Sequence, residues 1–256
     1  MSNLFSLQGK VALITGASSG LGWRFAEVLS EAGARLILMA RRKDRLNQLR
    51  QSLASRGHAS ISLEMDISDP DSIETQINKA LAYEPSIDIL VNNAGILKQT
   101  PLFGEGLIDF DEIFNVNVRG LWLVTQKIAA HMKERKNSGS IINISSISGD
   151  LVPSYNESAY CASKAAVIQL TKQLVGELSK YKIRINAILP GIIHTEMTHK
   201  QISKEKAELE KTIPLGFIGK PEDLDGAILY LASNKASRYV TGSCLIADGG
   251  DSWRGV

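Results

Sequence analysis

Near its amino terminus the chain reads Lys10-Val-Ala-Leu-Ile-Thr-Gly-Ala-Ser-Ser-Gly-Leu-Gly22. Residues 10–15 form an apolar run of strand length, and residues 23–32 have a helical period that ends at Gly33. The glycines between them allow a tight turn and a close approach to a pyrophosphate, and the first N–H groups of the helix attract an anion. The stretch therefore predicts a nucleotide-binding turn. Its Gly-x-x-x-Gly-x-Gly spacing differs from the general dinucleotide fingerprint, and an ordinary strand-to-helix turn is the alternative.

The rest of the chain alternates apolar runs of strand length with segments of helical period. Strands are predicted over residues 34–39, 60–65, 87–91, 140–145, 182–189 and 243–247. Helices are predicted over residues 43–56, 71–83, 158–181 and 220–232. This alternation predicts parallel βαβ units and a doubly wound α/β sheet with helices on both faces. Ligands of such sheets bind beyond the carboxyl ends of the strands. At these ends lie the glycine turn, Arg41, Asp66, Asn92 and Ser146.

Composition and charge limit the function classes that are open to the chain. Its 256 residues, 44% hydrophobic and 22% charged, suffice for one large core, and we expect a single domain over residues 1–256. The 29 basic and 27 acidic residues are scattered, so the net charge of +2 indicates neither a nucleic-acid partner nor a membrane surface. Cys161 and Cys244 lack metal-site spacing and fit a reducing compartment. Without a leader-like or membrane-spanning run, a cytoplasmic protein with a small-molecule partner is expected.

The residues after the second predicted strand bear on the choice of cofactor. About twenty residues past the glycine turn, a carboxylate typically accepts the ribose hydroxyls of NAD, whereas an arginine accepts the 2′-phosphate of NADP. The chain has Arg41 and Arg42 there and no carboxylate. Because forked guanidinium groups suit a phosphate, the pair favours NADP, with Arg41 as the main phosphate contact and NAD as the alternative cofactor. The competing interpretation is that both arginines simply begin the charged helix over residues 43–56.

Tyr160 and Lys164 have the spacing of an acid–base pair. They are four residues apart in a predicted helix, so they lie on one face with the ammonium near the phenol. A phenol with a pKa of about 10 exchanges protons poorly at neutral pH. To lower this pKa by about three units, the ammonium must stabilise the phenolate over the phenol by roughly 4 kcal/mol. The same spacing is common on ordinary amphipathic helices, so the spacing alone does not establish chemistry.

Taken in order, the motifs of the chain resemble those of the short-chain dehydrogenase/reductase family, especially its 3-oxoacyl-ACP-reductase-like members. The resemblance covers about residues 10–250. It rests on Thr15-Gly16-x-x-x-Gly20-x-Gly22, Asn92-Asn93-Ala94-Gly95, Ser146, Tyr160-x-x-x-Lys164, Pro190-Gly191 and Asp248-Gly249-Gly250. It implies a Rossmann fold with a seven-stranded parallel sheet, an NAD(P) cofactor, and hydride transfer between a carbonyl and an alcohol.

The resemblance also implies a role for each motif. Ser146 would hydrogen-bond the substrate oxygen, Tyr160 would exchange a proton with it, and Lys164 would hold the nicotinamide ribose and lower the tyrosine pKa. Asn117, preferred over Asn115 because it precedes the long helix as the family's asparagine does, would tie a proton-relaying water to the lysine. The other implied cofactor contacts are Gly16, Ser18, Ser19, Gly20, Leu21, Gly22, Arg41, Arg42, Asp66, Ile67, Asn93, Ala94, Gly95, Pro190, Gly191, Ile193 and Thr195.

Two of these assignments have competitors nearby. Ser145 would point to the opposite face of the strand from Ser146, and Ser148 lies further into the loop. Tyr155 lacks a lysine one helical turn further on. Ser146 and Tyr160 are therefore preferred.

The resemblance leaves the substrate open. A charged segment over residues 196–214, within a lid at about residues 194–216, would cover it. The lid residues His194, Glu196 and His199 lack the spacing of a metal site, and no metal is expected. We expect NADPH-dependent reduction of a ketone or a 3-oxoacyl thioester. The alternatives are an NAD-dependent dehydrogenase of a sugar acid or polyol, and a regulator that binds the dinucleotide without catalysis.

Two kinds of macromolecular partner follow from the resemblance. An acyl carrier protein would suit the basic residues Lys133, Arg135, Lys136, Lys180 and Lys182. Asn137 and Tyr181 stand where the carrier-binding arginines are expected, and solvated helix ends are the competing interpretation. Most relatives are tetramers paired through two long helices, here about residues 109–135 and 158–181. A homotetramer is expected, with a homodimer as the alternative.

Overall fold

A seven-stranded parallel sheet forms the centre of the computed structural model, which describes residues 4–103, 107–136, 138–151 and 156–253. Its strands are β1 (Val11–Thr15), β2 (Arg35–Ala40), β3 (Ser60–Glu64), β4 (Ile89–Asn92), β5 (Gly139–Ile144), β6 (Ile183–Pro190) and β7 (Cys244–Ala247). They are ordered β3-β2-β1-β4-β5-β6-β7, and every neighbouring pair is parallel. The predicted doubly wound Rossmann fold is thus confirmed.

Helices connect successive strands and cover both faces of the sheet. They are α1 (Gly20–Glu31), α2 (Lys43–Ser55), α3 (Pro70–Tyr83), α4 (Leu107–Phe114), α5 (Leu121–Glu134), α6 (Ser158–Gln173), α7 (Val175–Leu178), α8 (His199–Thr212), α9 (Asp225–Ala232) and α10 (Asn234–Ser237). Within the ranges given above, none of the helices is long and apolar enough to cross a membrane.

Two predicted helices are divided in the structure. The segment over residues 109–135 contains a π-helical turn, Asn115–Gly120, between α4 and α5. The segment over residues 158–181 leaves α-helical geometry after α6, and a short α7 and a 3₁₀ turn, Ser179–Tyr181, follow. Short turns of different pitch keep nearly the same apolar period, so the sequence pattern does not reveal these divisions.

Alternate residues of the central strands are buried in two separate apolar layers, one on each face of the sheet. In β1, Ala12 and Ile14 pack in the layer that includes Phe25 of α1. Val11 and Leu13 pack in the opposite layer, which contains residues of α3 and α5. A strand buried on both faces has apolar residues at every position, which is why the strand sequences are continuous apolar runs. The polar side chains of the site therefore collect where the strands end.

Candidate active site

The glycine turn after β1 is tied to the end of β4 by the side chains of Thr15 and Asn93. Thr15 Oγ1 accepts hydrogen bonds from the backbone N–H groups of Asn93 and Ala94, each at 3.1 Å. The Asn93 side-chain amide donates to the carbonyl oxygens of Thr15 and Gly16, also at 3.1 Å. Because β1 and β4 are neighbours in the sheet, these bonds hold the turn against the adjacent strand.

Two glycines of the turn leave no room for a side chain. A Cβ at Gly22 would lie 2.3 Å from the Gly16 carbonyl oxygen, and a Cβ at Gly16 would lie 2.7 Å from Ala94 Cα. Gly16 and Gly20 also have φ angles of 67° and 54°, which glycine adopts without strain. Helix α1 begins at Gly20, so the N–H groups of its first turn lack helical acceptors. A close backbone approach and free N–H groups at a helix start fit a pyrophosphate.

The structure brings Arg42, rather than Arg41, to the serines of the turn. Arg42 Nε donates to Ser18 Oγ at 3.2 Å, and Arg42 Nη2 donates to Ser19 Oγ at 2.5 Å. Arg42 Nη1 pairs with Glu196 at 2.9 Å. Arg41 is exposed and lines the same cavity. Arg42, and not the Arg41 that the sequence favoured, is thus the arginine that contacts the turn.

Two further loops lie at the carboxyl edge of the sheet. After β3, Asp66 Oδ1 accepts hydrogen bonds from the backbone N–H and the hydroxyl of Ser68 at 2.9 and 2.7 Å. After β6, the Thr195 N–H donates to Thr198 Oγ1 at 3.0 Å and fixes the segment before α8. These loops contribute the predicted cofactor contacts Asp66, Ile67, Pro190, Gly191, Ile193 and Thr195.

Ser146, Tyr160 and Lys164 converge in one part of the cavity. Ser146 is the second residue after β5, and its hydroxyl is hydrogen-bonded to the Tyr160 hydroxyl. The Ser148 N–H donates to Ser146 Oγ at 3.1 Å and so orients it. Lys164 Nζ lies 5.6 Å from the centre of the Tyr160 ring and donates to the Ile144 carbonyl oxygen at 3.0 Å. The helix thus brings the ammonium beside the aromatic ring, as the four-residue spacing predicts.

The neighbouring Ser145 points away from this group. Its hydroxyl is buried and donates to the Lys164 backbone carbonyl oxygen at 2.8 Å. Ser145 therefore joins the end of β5 to α6, which agrees with the alternation used to prefer Ser146. Tyr155, the competitor of Tyr160, lies outside the described residues.

Burial disfavours the charged forms of both members of the acid–base pair. It raises the pKa of the Tyr160 phenol to about 12, although the hydrogen bond from Ser146 opposes the rise. It lowers the pKa of the Lys164 ammonium to about 8. The expected lowering of the tyrosine pKa by the lysine is not seen, because desolvation of the buried phenol has the largest effect on its pKa and Lys164 is not among the groups that lower it. At neutral pH the phenol is protonated, as proton donation requires.

Asn117 lies in the π-helical turn and bonds to neighbouring chain segments. Its Oδ1 accepts from the Ile96 N–H at 2.8 Å, and its Nδ2 donates to the Ile96 carbonyl oxygen and to Ser163 Oγ, both at 3.0 Å. The amide thus joins the loop after β4 to the helix of the acid–base pair. A Cβ at Gly95 would lie 3.3 Å from Asn117 Oδ1 and 3.4 Å from Lys164 Nζ. The asparagine and the ammonium therefore face the same small volume.

A cavity of about 420 Å³ brings together nearly all of the predicted site residues. Gly22 and Asn117 do not line it, because Gly22 packs beneath the turn and Asn117 lies behind Gly95. Asn92 ends β4 at this edge, as the sequence predicts, but its side chain is buried and bonds to Thr125 of α5 and Asn143 of β5. The motifs did not predict the lining residues Met39, Ala40, Met65, Ile96, Val116, Ile144, Met197 and Thr198. Each lies within three residues of a predicted contact, so proximity to a strand's carboxyl end is the signal that could have found them.

No group of three or more His, Cys, Asp or Glu side chains is placed to hold a metal ion in the described part of the chain. The imidazole rings of His194 and His199 lie 6.0 Å apart at their centres and contact edge to face. Two histidines without a third ligand do not make a structural metal site.

Known proteins resemble this chain in sequence and in structure. A family model described as enoyl-(acyl carrier protein) reductase matches residues 16–252. The 3-oxoacyl-[acyl-carrier-protein] reductase of Thermotoga maritima is 38% identical over 244 residues, which are 95% of this chain and 98% of that protein.

Two solved structures superimpose closely. A short-chain type dehydrogenase/reductase from Mycobacterium marinum has a TM-score of 0.93 and 39% identity and covers 97% of each chain. A gluconate 5-dehydrogenase from Burkholderia cenocepacia, solved with NADP and tartrate, has a TM-score of 0.93 and 34% identity and covers 98% of each chain. The similarity thus extends over whole chains, and it includes proteins with different substrates.

Proposed function

The chain belongs to the short-chain dehydrogenase/reductase family, and on that premise we propose that it reduces a neutral ketone or 3-oxoacyl carbonyl with NADPH. Family membership makes it an NAD(P)-dependent oxidoreductase. One observation carries the finer proposal. A single cavity holds Arg42 with the two serines of the glycine turn, and it also holds Ser146, Tyr160 and Lys164.

The cofactor assignment rests on the fit between the cavity and a dinucleotide phosphate. The glycine turn and the start of α1 would hold the pyrophosphate, since Gly16 and Gly22 leave the backbone uncovered. Arg42, with Ser18 and Ser19, would hold the ribose 2′-phosphate through charge-assisted hydrogen bonds. The gluconate 5-dehydrogenase of similar structure was solved with NADP, which agrees with this choice. Lys164 would bond the hydroxyls of the nicotinamide ribose.

The proposed mechanism assigns one step to each catalytic side chain. The bound nicotinamide supplies the hydride. As negative charge develops on the substrate oxygen, the Ser146 and Tyr160 hydroxyls donate hydrogen bonds to it. Tyr160 then gives up its proton, and the Lys164 ammonium stabilises the phenolate against the burial that opposes it. Asn117 is a positioning residue, because its amide holds Ile96 against α6.

The lining of the cavity supports a neutral substrate. Among its described lining residues the cations are Arg41, Arg42 and Lys164. Arg42 is engaged at the glycine turn, and Lys164 lies beside Tyr160. The lining also includes the apolar side chains of Ile96, Ile144, Ile193 and Met197. A sugar-acid carboxylate would lose its hydration without gaining a cation of its own. Oxidation of a sugar acid is nevertheless the second candidate function, because a gluconate 5-dehydrogenase superimposes over 98% of the chain.

The position of the basic cluster argues against delivery of the substrate by a carrier protein docked there. Lys133 Nζ and Lys180 Nζ lie 4.9 and 5.3 Å from the centre of the Tyr181 ring. Tyr181 precedes β6, so the cluster lies at the amino ends of the strands, whereas the cavity lies at their carboxyl ends. The eight residues of β6 separate the two edges by about 26 Å. Asn137, the other predicted position, lies outside the described residues. We therefore favour a free carbonyl compound.

A coupled binding and turnover experiment tests the proposed function. Wild type is titrated with NADPH and NADH, and NADPH consumption is then followed with neutral diketones, 3-oxoacyl thioesters and sugar acids. Tight NADPH binding with turnover of diketones or thioesters is expected, and Tyr160→Phe should bind NADPH but lack turnover. Preference for NADH, with activity on sugar acids alone, would contradict the proposal. Binding of NADPH without even a single turnover of a reactive diketone would instead indicate a regulator.

We propose a homotetramer as the assembly. Large apolar side chains are exposed on α4 and α5, namely Leu107, Ile108 and Phe110 of α4 and Trp122 of α5, and the last two lie in the segment over residues 109–135 that is expected to pair subunits. Exposed apolar clusters of this kind typically mark protein interfaces. Light scattering of the purified protein should give about four chain masses, and a single chain mass at micromolar concentration would reject the assignment.

A further inference from the structure

Glu196 holds the arginines that would bind the cofactor phosphate. Its Oε2 lies 2.9 Å from Arg42 Nη1, and its Oε1 lies 3.7 Å from Arg45 Nη2. The hydrogen bond from Arg42 lowers the pKa of the Glu196 carboxyl, with a smaller contribution from Ser19. The side chain is therefore an anion at neutral pH. A carboxylate of the chain thus occupies an acceptor position on the guanidinium that also contacts Ser18 and Ser19.

The Glu196 side chain borders a second cavity that could accommodate it. Glu196 lines the cofactor cavity and also a neighbouring cavity of about 470 Å³ on the other side of the glycine turn. The second cavity is lined by Arg24, Arg45, His194 and His199 and also by Glu27 and Glu222, and Arg24 is already paired with Asp225 and Glu27. If a phosphate displaces Glu196 from Arg42, the carboxylate can turn into this neighbouring space, which His194 and His199 also line.

The Glu196 ion pairs are weak enough to be displaced. The side chains of Arg42 and Glu196 are 46% and 51% exposed, and ion pairs with this exposure are strongly screened by water. A phosphate monoester carries nearly two charges and three acceptor oxygens, so it binds a forked guanidinium more strongly than one carboxylate does. The two anions would compete for the same donors, and the phosphate would prevail.

We propose that Glu196 is a specificity-determining residue for the cofactor, an internal anion that NADP(H) must displace from Arg42 and Arg45 and that NAD(H) leaves in place. The proposal rests on the proposed use of NADP. It predicts that Glu196 weakens NADP(H) binding selectively. Because Glu196 lies three residues before α8, the competition also connects the adenosine end of the cavity to the segment expected to cover the substrate.

Removing the charge of Glu196 tests the proposal. Dissociation constants for NADPH and NADH are measured by fluorescence titration of wild type, Glu196→Gln and Glu196→Ala. Both variants should bind NADPH about fivefold more tightly, since exposed ion pairs are lost and a like charge is removed, while NADH binding changes less than twofold. Adenosine 2′,5′-bisphosphate and 5′-AMP, which lack the nicotinamide, should show the same selectivity. Glu210→Gln is the matched control, because Glu210 lies on α8 and pairs with Lys206 at 3.7 Å.

Two results would overturn the inference. One is an NADPH to NADH affinity ratio that changes less than twofold in both Glu196 variants. The other is weaker NADH binding with unchanged NADPH binding, which would mean that the carboxylate accepts ribose hydroxyls instead. The proposed function fails separately, if wild type itself binds NADH more tightly than NADPH.

Discussion

Replacing Lys164 with methionine should remove a pH dependence of stability that the buried ammonium imposes. Lys164 is 5% exposed, and burial lowers its pKa to about 8 from an ordinary value of 10.5. In the unfolded chain the ammonium regains water and its ordinary pKa. Between pH 8 and 10.5 the unfolded state therefore binds more protons than the folded state, so stability rises with pH. The difference between the two pKa values corresponds to about 3 kcal/mol across the window.

The assay is urea unfolding of wild type and Lys164→Met at pH 7, 8, 9 and 10, at one protein concentration because assembly contributes to stability. Below pH 8 both states of the wild type are protonated, and the cost of burying the charge is fully present. Above pH 8 the free energy of unfolding of the wild type should rise relative to that of the variant by at most about 1.4 kcal/mol per pH unit. Tyr160→Phe is the control. The Tyr160 phenol has a pKa of about 12 in the folded state and stays neutral there, but it ionises near pH 10 in the unfolded chain, so the variant should parallel wild type up to pH 9 and gain only about 0.4 kcal/mol of stability relative to it at pH 10. A difference between wild type and Lys164→Met that is constant from pH 7 to 10 would refute the reasoning.

Three further substitutions test other parts of the site. Tyr160→Phe removes the proton donor and should lower turnover at least about 100-fold while NADPH still binds; steady-state kinetics showing more than about a tenth of wild-type turnover would reject the assignment. Arg42→Ala should weaken NADPH binding about tenfold and leave NADH binding unchanged in fluorescence titrations, whereas Arg41→Ala should have the smaller effect, and the reverse order would return the phosphate to Arg41. Gly22→Ala should cost about 1–3 kcal/mol of unfolding free energy, because its Cβ would lie 2.3 Å from a backbone carbonyl oxygen. Gly176→Ala, with nothing within 4 Å of the added carbon, is its control and should be neutral or slightly stabilising in the same unfolding measurement.

The fold was predictable because its central strands are buried on both faces. A continuous apolar run between helical segments has few interpretations other than a parallel strand, and the predicted strands over residues 10–15 and 60–65 differ from β1 and β3 by one residue at one end. The π-helical turn Asn115–Gly120 was not predictable. It ends at a close approach to a segment far away in sequence, since a Cβ at Gly120 would lie 2.2 Å from the Ile67 carbonyl oxygen.

The motifs predicted which residues meet at the site but not which contacts each of them makes there. Arg41 and Arg42 are equivalent in the sequence pattern, and the turn after β2 alone determines that Arg42 reaches Ser18 and Ser19. The pairing of Arg42 with Glu196 spans 154 residues and has no local signal. The direction of the Tyr160 pKa shift was also unpredictable, because it depends on how deeply the phenol is buried and not on the distance to its lysine in sequence.

A chain of buried polar side chains beneath the site fixes α6 on the sheet. The Asn92 amide of β4 donates to Thr125 Oγ1 of α5 and to Asn143 Oδ1 of β5, each at 2.8 Å. The Asn143 amide donates to Thr171 Oγ1 of α6 at 2.9 Å. All four side chains are almost fully buried, so breaking one of these bonds would leave a desolvated polar group unpaired. Two strands and two helices are thereby locked in one register.

This register determines whether the catalytic groups can meet. Ser146 follows β5, whereas Tyr160 and Lys164 belong to α6, so their geometry depends on how the helix lies along the strand. Sliding α6 by one residue would move it about 1.5 Å, and a hydrogen bond between hydroxyls tolerates only a few tenths of an ångström. Apolar contacts between helix and sheet have no such direction and would permit the shift at lower cost. We infer that the buried polar bonds, including the one from Ser145 to the Lys164 carbonyl oxygen, supply the precision that the apolar core cannot.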